Sequence, residues 1–289
     1  MLTTTLIAKP GGIDVSLVEN LTNAWGGSVA IWLAPDEAAE FAVEEMPGNF
    51  WQVWEDLQAL GVDLLIQPSA GRRKQMLIAD MDSTMIGQEC IDELADEAGV
   101  GPRVADITAL AMNGELDFEG ALRERVGLLA GLDVHVIDKV LAERITLAPG
   151  GRELVATMRK NGAYALLVSG GFTAFSGQVA SDLGFDEHRA NTLDMADGKL
   201  TGIVGEPILG RAAKVAALEE VSTRLGLSHY QIMAVGDGAN DLGMLGLAGA
   251  GVALHAKPVV AAECDLRINH GDLSALLYMQ GYRKSEFAC

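Results

Sequence analysis

The sequence predicts an α/β fold: a doubly wound parallel sheet with an inserted helical cap and a small N-terminal α/β domain. Three observations carry that expectation. Continuous apolar runs, rather than alternating ones, lead into glycine- and aspartate-rich turns at MLIAD, ALLVSGG and QIMAVGDG, as in strands covered on both faces. Helical stretches separate these runs, which implies right-handed crossovers between parallel strands. The block between the first two runs is too long for one crossover. It reads as a cap over the carboxyl ends of the strands, where sites in such sheets lie.

Taken in order, residues 1 to about 70 read as the small α/β domain. TTTLIAK, SVAIWLA and VDLLIQ look like strands, while DVSLVENLTNAW and FWQVWEDLQALG have helical spacing. PSAGRRKQ reads as a linker. Trp25, Trp32, Trp51 and Trp54 all fall before it and are read as packing residues. QMLIAD is the first core strand, and residues 71–289 form the core domain around it. Its cap, at about 88–148, reads as helices broken at GVG, NGEL and AGLD. PGGRELVATMRKNG is a helix with a proline at its start and a glycine after its end. AYALLVSGG is the second core strand. ANTLDMADGKLTGIVGEP is a hairpin turning at DG. GRAAKVAALEEVSTRLG is helical, QIMAVGDGAND is the third core strand, GAGVALHA and CDLRIN are short strands, and DLSALLYMQGY closes the chain as a helix.

The 289 residues carry a formal net charge of −19, and 49% of them are hydrophobic. A sizeable core is available, and nucleic acid and anionic lipid surfaces are disfavoured as partners. An anionic ligand would need local cations or a metal. Cys90, Cys264 and Cys289 suit reduced thiols packed as small hydrophobes, not a disulfide framework. MLTTTLIAKP has no basic n-region and makes a poor signal peptide, and no stretch reaches the length of a membrane span. The expectation is a cytoplasmic protein.

The chemistry gathers at the strand ends. Asp80 closes the first core strand and Asp82 follows two positions later, while GDGAND adds Asp237 and Asp241. Like charges this close to a buried strand imply a cation. Hard oxygen ligands suit Mg²⁺, and no cysteine or histidine cluster has zinc spacing. A carboxylate beside Mg²⁺ can attack phosphorus, and a second can act as general acid and base. Ser169 and the Gly170 N–H in VSGG can donate to phosphoryl oxygens, and Lys214 can supply charge. Taken singly, SGG is a weak signal and a lone lysine weaker still. GDGAND lacks the later ligands of an EF-hand. The four in this order, each after an expected strand or on a helix, are much more specific.

DMDST, SGG, the lysine and GDGAND resemble the haloacid dehalogenase superfamily of aspartate-nucleophile phosphatases. More narrowly, Glu89, the cap stretch MNGELDFEGALRERVGLL, DGKLTG and VGDGANDLGML are similar to the phosphoserine phosphatase family, from about residue 75 to about 280. The resemblance implies that Asp80 is the nucleophile and a metal ligand. It makes Asp82 the general acid and base, with its backbone carbonyl on Mg²⁺, and Asp237 the third protein ligand. Ser169, Gly170 and Lys214 would bind the phosphoryl group. Asn240 would contact the phosphate region, and Asp241 would support the metal and the lysine. Glu89 would meet the substrate ammonium and Arg125 its carboxylate. Met112 and Phe118 would line the pocket. The implied activity is hydrolysis of O-phospho-L-serine, the last step of serine biosynthesis.

Without the resemblance, Glu89 and Arg125 read as solvated helix residues, and Arg123 competes with Arg125 within RER. Asp92, Glu93, Asp96 and Glu97 read as a solvated helix face. The five histidines receive no role. Residues 1–70 resemble an ACT-like module, with amino-acid binding, a homodimer interface and simple packing all open. Another phosphomonoester substrate is a second reading. A signalling receiver also pairs an aspartate with Mg²⁺, but it has no long insertion after the phosphorylated strand.

Overall fold

The structure, a computed structural model, describes residues 1–112 and 115–289, apart from the Met112 side chain. The chain opens with β1 (Leu2–Ala8), α1 (Val15–Ala24), β2 (Ile31–Ala34), β3 (Ala38–Val43), α2 (Phe50–Gln58) and β4 (Val62–Pro68). After β5 (Met76–Ala79) come α3 (Cys90–Glu97), α4 (Gly101–Met112), α5 (Phe118–Gly127), α6 (His135–Glu143) and α7 (Gly151–Lys160). There follow β6 (Tyr164–Phe172), α8 (Thr173–Leu183), β7 (Glu187–Asn191), β8 (Leu193–Ala196), β9 (Lys199–Val204) and α9 (Arg211–Leu225). The chain ends with β10 (Ile232–Gly236), α10 (Leu242–Leu247), β11 (Ala250–Leu254), α11 (Pro258–Glu263), β12 (Leu266–Ile268) and α12 (Ala275–Met279). Each strand and helix expected from the sequence is present. The β3, α8, β7, α10 and α11 segments are additional.

The strands form a four-stranded sheet in the order β2-β3-β1-β4, a six-stranded sheet in the order β12-β11-β10-β5-β6-β7, and the β8-β9 hairpin. The first sheet is antiparallel, and its βαββαβ order is the ferredoxin-like arrangement. In the second, β10–β11, β11–β12 and β6–β7 run parallel. The apolar runs of β5 and β10 are buried at every position, as a sheet covered on both faces requires. Contacts divide the chain into two compact units. One is Met1–Ile78 with Pro149–Ala165 and Glu220–Cys289, and the other is Ala79–Ala148 with Leu166–Glu219.

In the first unit, Asp14 caps α1 by accepting a hydrogen bond from Ser16 N at 2.7 Å. One face of the small sheet packs Leu6, Ala8, Phe41, Val43 and Leu64 against α1 and α2. The other face is also buried, because α12 covers β1 and β12 lies against β4. Polar bonds fix this docking. Gln67 Nε2 donates to Met279 O at 2.6 Å, and Glu37 accepts from the Tyr278 hydroxyl and pairs with Lys284. PSAGRRKQ, expected as a linker, is held down: Arg72 makes a bidentate pair with Glu40, and Lys74 Nζ donates to Tyr230 O at 2.7 Å. The basic residues that suggested a solvated tether are its attachment points.

Asp63 is fully buried on β4, and its carboxylate accepts backbone N–H bonds from Asn269, His270 and Gly271. Burial raises this carboxyl above its ordinary range, while the three N–H groups pull it back. Asp63→Ala leaves these donors without their acceptor and is expected to lower stability by about 3 kcal/mol, read as a drop in the denaturation midpoint.

In the second unit, the cap helices pack α3 on α4 and α6, and α4 on α5. Arg144, next after α6, bonds Glu93 at 3.0 Å and Glu97 at 2.7 Å on α3. Asp96 also lies 3.7 Å from Arg144, so three of the four acidic residues expected on a solvated face pair with it. The hairpin turns on Asp197 (φ 51°) and Gly198 (φ 74°), the type I′ geometry that DG favours. It joins the cap through Gly131 N to Leu200 O and Leu200 N to Leu132 O, each at 2.8 Å.

Candidate active site

At the start of the second unit, Asp80 follows β5 directly and the next tight turn carries Asp82. Asp80 is 5% exposed, and its Oδ1 accepts from Met81 N at 2.8 Å and pairs with Lys214 Nζ at 2.7 Å. Lys214, one turn into α9, is fully buried. Burying either group without its partner would be costly, and their pairing offsets part of that cost.

Asp82 points elsewhere. Its Oδ1 accepts from Cys90 N and its Oδ2 from the Ser169 hydroxyl, each at 2.9 Å. Burial, reinforced by the charge of Asp80 and opposed by these hydrogen bonds, holds the Asp82 carboxyl above the ordinary carboxylate range. The Ser169 hydroxyl accepts in turn from Gly171 N at 2.8 Å. A Cβ on Gly171 would run into the Asp82 carboxyl, so only glycine lets the two strand ends approach this closely. Ser83, in the left-handed region at φ 55°, aims its hydroxyl at Glu89 Oε1, 2.9 Å away. Glu89 is exposed at the N-terminus of α3.

On α5, Arg125 is half-buried, and its Nε donates to Ala121 O at 3.2 Å. Burial pushes its guanidinium down, against the opposing charges of Asp92 and Glu89. Arg123 is exposed and bonds Glu119 and Glu206. The Phe118 ring lies against Gly170 and Gly210, 3.3 Å and 3.2 Å from where Cβ atoms would stand.

In the first unit, β10 ends in the GDGAND turn. Asp241 is fully buried, and its Oδ2 accepts from Gly238 N at 3.0 Å. Asp237 is buried, Asn240 is half-buried, and the exposed Lys257 reaches Asp237 Oδ2 at 4.0 Å. Asp80 of the second unit and Asp237 and Asp241 of the first each carry a buried carboxylate. Hard oxygen donors with no sulfur or imidazole fit Mg²⁺.

The haloacid dehalogenase-like hydrolase family model matches residues 77–246. The chain belongs to that family. A phosphoserine phosphatase of Streptomyces coelicolor is 43% identical over 256 residues, which are 87% of this chain and 62% of that protein. The chain therefore spans less than two thirds of that relative's length. A solved haloacid dehalogenase family hydrolase of Salmonella enterica serovar Typhi has a TM-score of 0.87 at 29% identity, covering 96% of this chain and 97% of that one. A phosphoserine phosphatase solved as a phospho-aspartyl intermediate analogue has a TM-score of 0.67 at 39% identity, covering 71% of this chain and 98% of its own.

Within this haloacid dehalogenase-like fold, the structure pairs Asp80 with Lys214 and Asp82 with Ser169. It turns the Asp82 carboxylate onto Cys90 and Ser169. Ser169, expected to face a phosphoryl group, bonds Asp82 here. The Met112 side chain and the Asn113-Gly114 pair of the cap motif lie outside the described residues. The sequence reading missed the Phe118 contact with two glycines and the charge of Asp92 opposite Arg125. The α5 pattern F-E-G-A-L-R-E-R carries a signal for neither, because each depends on which element comes to face α5.

Proposed function

We propose that the chain is a Mg²⁺-dependent phosphatase that hydrolyses O-phospho-L-serine to L-serine and phosphate. In this reading an Asp80 carboxylate oxygen attacks phosphorus, and the bond from phosphorus to the serine oxygen breaks. Asp82 gives its proton to the leaving oxygen and then takes one from the water that cleaves the aspartyl-phosphate. The observation that carries the reading is the buried Asp80–Lys214 pair two residues from a raised Asp82 carboxyl. An acid that keeps its proton to higher pH suits the first step. Asp80, the Asp82 backbone carbonyl and Asp237 would hold Mg²⁺, with Asp241 in support. When bound, it would offset the negative charge shared by these carboxylates and the phosphoryl group.

Ser169, the Gly170 N–H, Lys214 and Asn240 receive the phosphoryl oxygens. Glu89 meets the substrate ammonium, and Arg125 meets its carboxylate. The half-burial of Arg125, against the exposure of Arg123, supports the choice between them. Residues 1–70 are read as an ACT-like domain, residues 71–289 as the phosphatase core and about 88–148 as its cap, in a cytoplasmic homodimer serving the last step of serine biosynthesis. The ferredoxin-like strand order supports the first of these. No helix among the described residues is long and apolar enough to cross a membrane.

A panel of phosphomonoesters, assayed with the wild type and with Arg125→Ala, tests the substrate. O-phospho-L-serine is expected to be preferred. Arg125→Ala is expected to lose about 10²-fold in kcat/KM on it, with little change on p-nitrophenyl phosphate, which has no carboxylate. No preference, or no loss in the variant, would favour a different phosphomonoester.

A further inference from the structure

We infer that Asn191 is a positioning residue that sets the spacing between the phosphate-facing loop Ser169–Gly171 and the helix start that carries Lys214. The inference rests on the phosphatase reading above. The β6–β7 ladder runs in register through Leu166–Glu187, Leu167–His188 and Val168–Arg189, then shifts and resumes at Phe172–Asn191. Ser169, Gly170 and Gly171 sit in that irregular stretch, where the regular ladder lapses and backbone groups need other partners.

Asn191 supplies one. It is the last residue of β7 and 2% exposed. Its Nδ2 donates to Gly170 O at 2.8 Å and to Leu209 O at 3.2 Å. Its Oδ1 accepts from Leu209 N at 2.6 Å. Leu209 precedes Gly210, whose carbonyl accepts from Lys214 N at 3.3 Å in the first turn of α9. One buried side chain thus bonds both segments, and the next residue adds a tie, with Gly205 N donating to Thr192 O at 2.8 Å. Gly170 and Gly210 also flank the same Phe118 ring, so both segments border one space.

Among side chains of this size, only a carboxamide matches the pattern. Its two N–H donors meet two carbonyls and its oxygen meets an N–H. A carboxylate of the same shape has no proton for either carbonyl and repels both. Asn191→Asp therefore forces the Gly170 carbonyl and Leu209 apart without changing side-chain size. Loop donors and the lysine act most strongly where charge develops on the transferring phosphoryl group, so their misplacement is read in kcat more than in KM.

The test uses full-length Asn191→Asp and Asn191→Ala, with steady-state kinetics on O-phospho-L-serine and p-nitrophenyl phosphate, orthovanadate inhibition and thermal melting. We expect kcat to fall by about 10²-fold with KM within about threefold, and vanadate inhibition to weaken in step with kcat. A kcat within twofold of wild type in a folded variant overturns the inference. So does failure of both variants to fold, or a loss of activity that only tracks the folded fraction while vanadate affinity per folded molecule is unchanged, because each assigns Asn191 to the fold alone. Wild-type turnover of p-nitrophenyl phosphate without turnover of O-phospho-L-serine overturns only the substrate reading, and the Asn191 comparison then stands on the second substrate.

Discussion

Asp80→Asn is expected to lower kcat for phosphomonoester hydrolysis by about 10⁴-fold or more and to abolish any acid-stable phosphoenzyme. The carboxamide has the shape of the carboxylate, and its oxygen can still accept from Met81 N and Lys214, the two partners of Asp80 Oδ1. Folding should therefore persist. What disappears is the nucleophile of the proposed mechanism, since a neutral amide oxygen attacks phosphorus far more weakly than a carboxylate. Acid-quenched protein, digested and weighed by mass spectrometry after brief exposure to substrate, is expected to show phosphate on the Asp80 peptide in the wild type and none in the variant. Wild-type turnover in Asp80→Asn would end the covalent mechanism.

Lys214→Met is expected to lower kcat by about 10³-fold, with a smaller effect on stability of about 3 kcal/mol. Methionine fills most of the lysine's volume, so a fully buried position keeps its packing. The loss is electrostatic and twofold. Asp80 loses the cation 2.7 Å from Oδ1, and the transferring phosphoryl group loses a charge in a site shielded from water. Steady-state kinetics and a denaturant titration on the same preparation separate the two effects. Unchanged kcat with lowered stability would confine Lys214 to a structural role.

Much of this fold is legible in the amino-acid order, for identifiable reasons. The strands β5 and β10 are unbroken apolar runs, and the turns after them contain the aspartates. The DG turn, the GVG break between α3 and α4 and the Asp14 cap are local devices whose effect depends on neighbours in the chain. The elements that escaped notice lack such signals. β3 carries Glu40 on a buried stretch, and this charge is tolerated because Arg72 of the supposed linker pairs with it. β7 reads E-H-R-A-N, with no apolar pattern, because it is an edge strand of the sheet. α10 and α11 have six residues each, too short for a periodicity to declare itself.

The candidate site divides in the same way. The order of Asp80, Asp82, Ser169, Lys214, Asp237 and Asp241 along the chain, each at a strand end or helix start, is a property of the sequence alone. It points to the chemistry proposed above, because two carboxylates spaced two apart in one turn are visible along the chain. Folding decided where each hydrogen bond goes. Ser169 bonds Asp82, Lys214 bonds Asp80, and Asn191 joins Gly170 to Leu209. Those partners lie far apart in the chain. A hydrogen bond senses angle and distance in space rather than separation along the backbone, so only the assembled strand ends could choose among the donors and acceptors available.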